Sequence, residues 1–175
     1  MSSGNLFFER PTLRLPEGVN AVTTTRTGGV STGQYDSLNM SDNVGDKRRN
    51  VEKNREFLRI ALNLPSEPLW LRQVHSNRVA DTGEADGSYT SRLEQVLCVQ
   101  SADCLPILVW DRVGREIAAV HAGWQGLASG IIKNAISNFD SDDLIAWIGP
   151  HIQTCHYEVD IKLWGQFSDY PQSLF

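Results

Sequence analysis

The sequence predicts a single domain that layers short strands against helices. Three observations carry this. Gln95 to Trp124 holds short runs rich in Leu, Val and Ile separated by turn residues. Residues 47–62 have the apolar spacing of an amphipathic helix, with Val51, Leu58 and Leu62 on one face and Phe57 and Ala61 beside them. A strand-like run ends at His121, and Gly123 then leads into a second helical pattern reaching about Phe139. The 175 residues, 41% hydrophobic and 21% charged, suffice for one domain with a real core.

In chain order, Asn20 to Thr25 is a β-branched run that reads as a strand. It ends in Arg26-Thr27-Gly28-Gly29-Val30-Ser31-Thr32-Gly33, which is either a plain glycine turn or a loop that wraps an anion through converging N–H groups and the arginine. It matches neither a Walker A loop nor a dinucleotide fingerprint. Asp46 is placed to cap the helix over 47–62, which Pro65 ends, and the Lys, Arg and Glu residues of that helix read as a solvated face. Leu69-Trp70-Leu71 begins a further strand that carries Gln73 and Val74 into His75. Residues 81–91 read as a loop with a turn at Asp86-Gly87.

In the central stretch Val96–Val99, Leu105–Trp110 and Glu116–Val120 read as strands, the last two forming a hairpin. A turn centred between Arg112 and Val113 places Trp110 opposite Arg115 and Cys104 opposite His121, on one side of the sheet. Leu127, Ile131, Ala135 and Ile136 form the inward face of the following helix, and Leu144–Ile148 is one more buried strand before Gly149-Pro150. The tail carries Trp164, Phe167, Tyr170 and Phe175.

Sixteen Lys and Arg against twenty-one Asp and Glu give a net charge of −5, which provides no global attraction to nucleic acid or to an anionic membrane and favours a small-molecule substrate. The N-terminus lacks the pattern of a signal peptide, and no run approaches the roughly 18 apolar residues of a membrane span. Three cysteines at no framework spacing favour a reducing, cytoplasmic setting.

The chemistry concentrates on His75, Cys104 and His121. Three readings stand side by side. The set offers three metal ligands with a fourth position open, the pattern of catalytic zinc. Alternatively Cys104 is a nucleophile with His121 as its base, or both are inert core residues. With four histidines in the chain, a full set of multicopper-oxidase coppers has too few imidazoles.

Gln73-Val74-His75, Ser101-Ala102-Asp103-Cys104, His121-Ala122-Gly123-Trp124 and Ile148-Gly149-Pro150 followed by Tyr157-Glu158-Val159 resemble, in order, the signature segments of the YfiH-like laccase-domain proteins. Thr24 to Ser31 and Leu38-Asn39 match the N-terminal pattern of that family. The resemblance implies an α+β fold, a layered mixed β-sheet with flanking helices related to cysteine deamidase toxins, with residues 1–175 as a single laccase domain. It implies zinc, or in other members copper, held by His75, Cys104 and His121. The expected activities are phosphorolysis of adenosine, inosine, guanosine or methylthioadenosine and deamination of adenosine. Copper-dependent polyphenol oxidation and a metal-free Cys-His amide hydrolase are the alternatives. Arg26, Gly28 and Gly29 are the expected phosphate contacts, Asn39 and Gln73 contacts to sugar or base, and Asp103 and Glu158 candidates for proton transfer. Family members usually continue past the Tyr-Glu-Val segment, so a C-terminally incomplete domain, or self-association through the aromatic tail, is also expected.

Overall fold

The computed structural model describes residues 6–168. Its centre is an antiparallel sheet of β3 (Gly87–Thr90), β4 (Leu105–Asp111), β5 (Ile117–Ala122) and β6 (Leu144–Ile148), in the spatial order β3-β5-β4-β6. A small ribbon of β1 (Phe8–Glu9) and β2 (Thr23–Thr24) lies upstream. The helices are α1 (Arg48–Ala61), α2 (Trp124–Ala128), α3 (Ile131–Ile136) and α4 (Ile161–Trp164). None of the described helices is long and apolar enough to cross a membrane. The α+β expectation holds.

Side-chain alternation divides the sheet into two working faces. Ile107 and Val109 of β4 and Ala118, Val120 and Ala122 of β5 pack with Ile131 and Ala135 of α3 into the principal core. Ile131 has no exposed surface, which stabilises the fold by about 1.5–3 kcal/mol for that side chain alone. The opposite face of the same strands carries Pro106 and His121, directly paired. The core face holds the sheet to α3, and the other face carries the buried Trp110 and Ala119 along with His121.

The hairpin is real, but its register differs from the expected one. Pairing runs from Leu105 with Ala122 to Trp110 with Ile117, so His121 faces Pro106 and Cys104 lies diagonal to it, just before the strand. The turn closes one residue later than expected because the Asp111 side chain accepts the Arg115 and Glu116 amides at 2.6 and 2.8 Å, making Arg112 to Arg115 the loop. Each partner moves by two positions, so side chains keep their faces. Cys104 and His121 therefore still share a side of the sheet.

Other elements depart further. Val96–Val99 is not a strand of the sheet, because Leu97 makes a single bridge to Leu69, and the Leu69–Leu71 run is likewise limited to isolated bridges. Residues 87–90, expected as loop, instead form the edge strand β3. Gly87 serves there because a Cβ would lie 3.1 Å from Val79 Cγ2 and 3.5 Å from Ile131 Cδ1. The long helix after His121 breaks into α2 and α3 at Gly130, whose φ of 90° ends one helix and starts the next, leaving Ile136 exposed. β6 occupies its expected span but is an edge strand, with Ile148 exposed rather than buried. Tyr170 and Phe175 lie outside the described residues.

The helix α1 is anchored by residues that its charged sequence hid. Asn54 is fully buried. Its amide nitrogen donates to Ser31 Oγ at 2.9 Å, Asn39 O at 2.8 Å and Ser37 O at 3.3 Å, and its oxygen accepts the Val30 amide at 2.9 Å. Arg55, expected in solvent, lays its guanidinium 4.0 Å from the Trp70 ring centre and donates to Met40 O. Asp46 leaves the cap position to Lys47 and ties the preceding loop, accepting from Ser31 Oγ at 2.6 Å and Asn39 Nδ2 at 3.0 Å. The hydrogen bonds from Ser31 and Asn39 hold its carboxyl below the usual range.

Asn54→Ala leaves the loop around Val30 and Ser31 without its partners, at a cost of about 2–4 kcal/mol. The expected result is a fall in melting temperature of roughly 5–15 °C. Arg48→Ala, which breaks only an exposed ion pair with Glu52, should shift it by no more than about 2 °C. Equal melting temperatures for wild type and Asn54→Ala would contradict this anchor.

Candidate metal centre

His75, Cys104 and His121 converge. Their ligand atoms lie within 4.8 Å of one another, with His75 exposed, Cys104 half-buried and His121 buried. The three reach this point from different elements. His121 is near the end of β5 on the face opposite α3, Cys104 immediately precedes β4, and His75 sits in the loop after Leu71. The two imidazole rings meet edge to face with centroids 4.9 Å apart, and Cys104 Sγ lies 3.8 Å from His75 Nε2. The exposed His75 leaves the cluster open to a small molecule.

Two backbone features bring the donors so close. Gly123 has no room for a side chain: a Cβ there would lie 2.6 Å from His75 Cδ2 and 3.1 Å from Cys104 Sγ. His75 itself adopts φ 60°, a left-handed conformation that costs a non-glycine residue of order 1 kcal/mol or more. The compensation is a buried carboxylate. Asp86 Oδ1 accepts the His75 amide at 3.0 Å, and Oδ2 accepts the Val74 amide at 3.2 Å, the Ser76 amide at 2.6 Å and Ser76 Oγ at 2.7 Å. Successive N–H groups around a left-handed residue form an anion-binding nest, and here the anion is the chain's own.

The same carboxylate reaches across to the strand. Asp86 Oδ1 lies 2.9 Å from His121 Nδ1, and the Asp86 carbonyl accepts the His121 amide at 2.7 Å. Burial raises the Asp86 carboxyl, but the hydrogen bonds from His121, Ser76 and Val74 outweigh it, so its pKa falls below the usual value. An ionised carboxylate only accepts, so this contact is a hydrogen bond donated by His121 Nδ1, and the neutral ring with that tautomer has its lone pair on Nε2. Burial, then the nearby Asp103 and Asp86 carboxylates, push the Cys104 thiol up. Such a thiol is a poor free nucleophile. A cation reverses both effects by stabilising the thiolate.

A thiolate and two imidazoles are donor types that zinc accepts, and three protein ligands leave a position for water or substrate. The same set, two histidines and one cysteine, also suits a single copper.

Of the remaining expected site residues, Arg26, Gly28, Gly29, Asn39 and Gln73 are built into the backbone packing, while Asp103 and Glu158 are exposed. Arg26 Nε and Nη2 donate to the Asp36 carbonyl at 3.0 and 2.6 Å. Gly29 permits the close approach of residues 37–38, since a Cβ would lie 2.2 Å from Ser37 O, while Gly28 takes φ 98°. Asn39 bonds to Ser41 and Asp46. Gln73 exchanges hydrogen bonds with the Gln100 backbone, both at 2.7 Å. Asp103 is exposed next to Cys104, with its carbonyl accepting the Ile152 amide, and Glu158 is exposed. Cys98 is a half-buried thiol: its Sγ donates to Leu69 O, and burial pushes it up to about 12.

Sequence reasoning missed Asp86. The dipeptide Asp86-Gly87 gave a turn signal, and nothing local marks a carboxylate that is fully buried against residues 74–76 and 121.

Residues 20–174 match the family model described as multi-copper polyphenol oxidoreductase laccase. The chain is 46% identical over 162 residues to the purine nucleoside phosphorylase YfiH of Shigella flexneri, covering 87% of this chain and 67% of that protein. It is also 46% identical over 153 residues to the protein of the same name from Escherichia coli, covering 82% and 63%. The chain thus spans about two thirds of the length of these relatives. The crystal structure of a Neisseria meningitidis protein superposes with a TM-score of 0.87 at 36% identity, over 93% of this chain and 70% of the other. The match over residues 20–174, together with these relatives, makes the chain a member of the YfiH-like laccase-domain family.

Proposed function

We propose that this chain forms the metal-binding part of a zinc-dependent purine nucleoside phosphorylase. The observation that supports the reading most is the convergence of His75, Cys104 and His121 donors within 4.8 Å. Its relatives' names supply the reaction class: they are called purine nucleoside phosphorylases. In phosphorolysis a phosphate oxygen bonds to the sugar carbon while the bond from that carbon to the purine nitrogen breaks, giving a sugar phosphate and the free base. The proposed substrates are adenosine, inosine, guanosine and methylthioadenosine, with deamination of adenosine as a second activity.

His75, Cys104 and His121 would hold a zinc ion, which would supply Lewis acidity there. The chain does the rest. Asp86 takes a hydrogen bond at His121 Nδ1 and leaves the other ring nitrogen for a cation, Cys104 would hold the cation as a thiolate, and the exposed side of His75 would admit the small molecule. Asp103, exposed beside Cys104, and Glu158 are the proposed proton carriers in deamination. Arg26, Gly28 and Gly29 are the proposed phosphate contacts. The Arg26 guanidinium has five N–H donors and keeps some for an anion while holding Asp36. Asn39 and Gln73 complete the proposed contacts, to sugar or base.

A second reading has copper in the same place, acting on phenols; it is favoured by the two-histidine, one-cysteine donor set and by the family model's description. The metal-free Cys-His hydrolase is disfavoured because burial and two carboxylates hold the Cys104 proton on.

Purified chain assayed with inosine should release hypoxanthine only when both inorganic phosphate and zinc are present. His75→Ala and Cys104→Ser should each lose bound metal and lower turnover by about 100-fold or more. Full turnover after chelation, abolished instead by alkylating Cys104, would overturn the reading in favour of the hydrolase. Gly123→Ala should weaken zinc binding about tenfold or more, read by competition with a chromogenic chelator, because its Cβ displaces His75 and Cys104. Unchanged affinity would contradict the close approach described at Gly123.

A further inference from the structure

We propose that Asp86 is the positioning residue of this centre: one buried carboxylate orients both histidines, fixing the His121 tautomer through its side chain and the His75 backbone through its amide. The inference rests on the metal-binding reading above and extends it to a residue outside the ligand set.

Asp86 joins the two ligands through one atom. Its Oδ1 accepts both His75 N and His121 Nδ1, while Oδ2 accepts Val74 N, Ser76 N and Ser76 Oγ. The backbone repeats the connection, since the Asp86 carbonyl takes the His121 amide. The histidines therefore cannot move apart without breaking bonds to the same buried group. A carboxylate behind a ligating histidine holds the ring and its tautomer, and loss of such a partner typically costs 10–100-fold in metal affinity.

The arrangement makes a specific statement about Asp86→Asn, which keeps the size and removes one acceptor. An amide nitrogen in the Oδ2 position faces two backbone donors, Val74 N and Ser76 N. In the Oδ1 position it faces one backbone donor, His75 N, together with an imidazole that can change tautomer. The second placement has the smaller conflict. It turns His121 Nδ1 into an acceptor and places the proton on Nε2, the nitrogen needed for a metal.

The test combines nitrogen-15 NMR of histidine-labelled, metal-free protein with titration of zinc alone. Wild type is expected to show His121 protonated at Nδ1. Asp86→Asn is expected to show the Nε2 proton and zinc affinity lowered about 10–100-fold. Arg48→Ala, which breaks only the exposed ion pair with Glu52, is expected to retain the wild-type tautomer and zinc affinity. Should Asp86→Asn fail to fold, the tautomer of wild-type His121 still decides. An Nε2 proton on His121 in wild-type protein, or wild-type zinc affinity in folded Asp86→Asn, overturns the proposal. Absence of zinc uptake by wild type with the Nδ1 tautomer intact sinks the metal reading, and Asp86 then only braces a histidine pair.

Discussion

Everything near the candidate centre depends on a buried negative charge. An isolated carboxylate removed from water costs several kcal/mol unless hydrogen bonds replace its hydration. Asp86 is fully buried and meets that demand with donors from two segments: the amides of residues 74–76 with the Ser76 hydroxyl, and the ring of His121. The left-handed conformation of His75 follows from it, because only a chain curled that way points three consecutive amides at one anion. The strand β3 begins at the next residue, Gly87, so the loop, the sheet edge and the end of β5 are joined at one place.

The sheet supplies rigidity and the loops supply proximity. β5 is buried along most of its length, with α3 covering one face, so the His121 position is set by a packed core. Cys104 enters from the start of β4 and shares the His121 face because the residues of an antiparallel pair alternate together. Gly123 then lets His75 close over both. The cluster built this way has its buried histidine on the scaffold and its exposed histidine on a loop.

Much of this was legible in the sequence. The three clustered residues could be named because histidine and cysteine at strand ends are chemically conspicuous, and the pairing error in the hairpin was harmless because a shift of two positions keeps the face. The losses have physical causes. β3 carries Gly87-Ser88-Tyr89-Thr90, small and polar residues that imitate a loop, and its burial comes from partners far along the chain. Asn54 and Arg55 sat among charged residues of an amphipathic helix, where nothing local separates a buried amide from a solvated one. In the glycine-rich segment after Arg26, Gly29 also permits backbone packing against Ser37, a role no local signal marks. A nest around the chain's own carboxylate lies at residues 74–76, which contain no glycine to announce it.

The central claim is that one metal binds this chain through one sulfur and two imidazole nitrogens. X-ray absorption at the zinc edge of the loaded protein tests it directly. The account predicts one Zn–S distance of about 2.3 Å and two histidine nitrogens at about 2.0–2.1 Å, with one metal per chain. A first shell made only of oxygen and nitrogen, or a scattering pattern unchanged in Cys104→Ser, would contradict it.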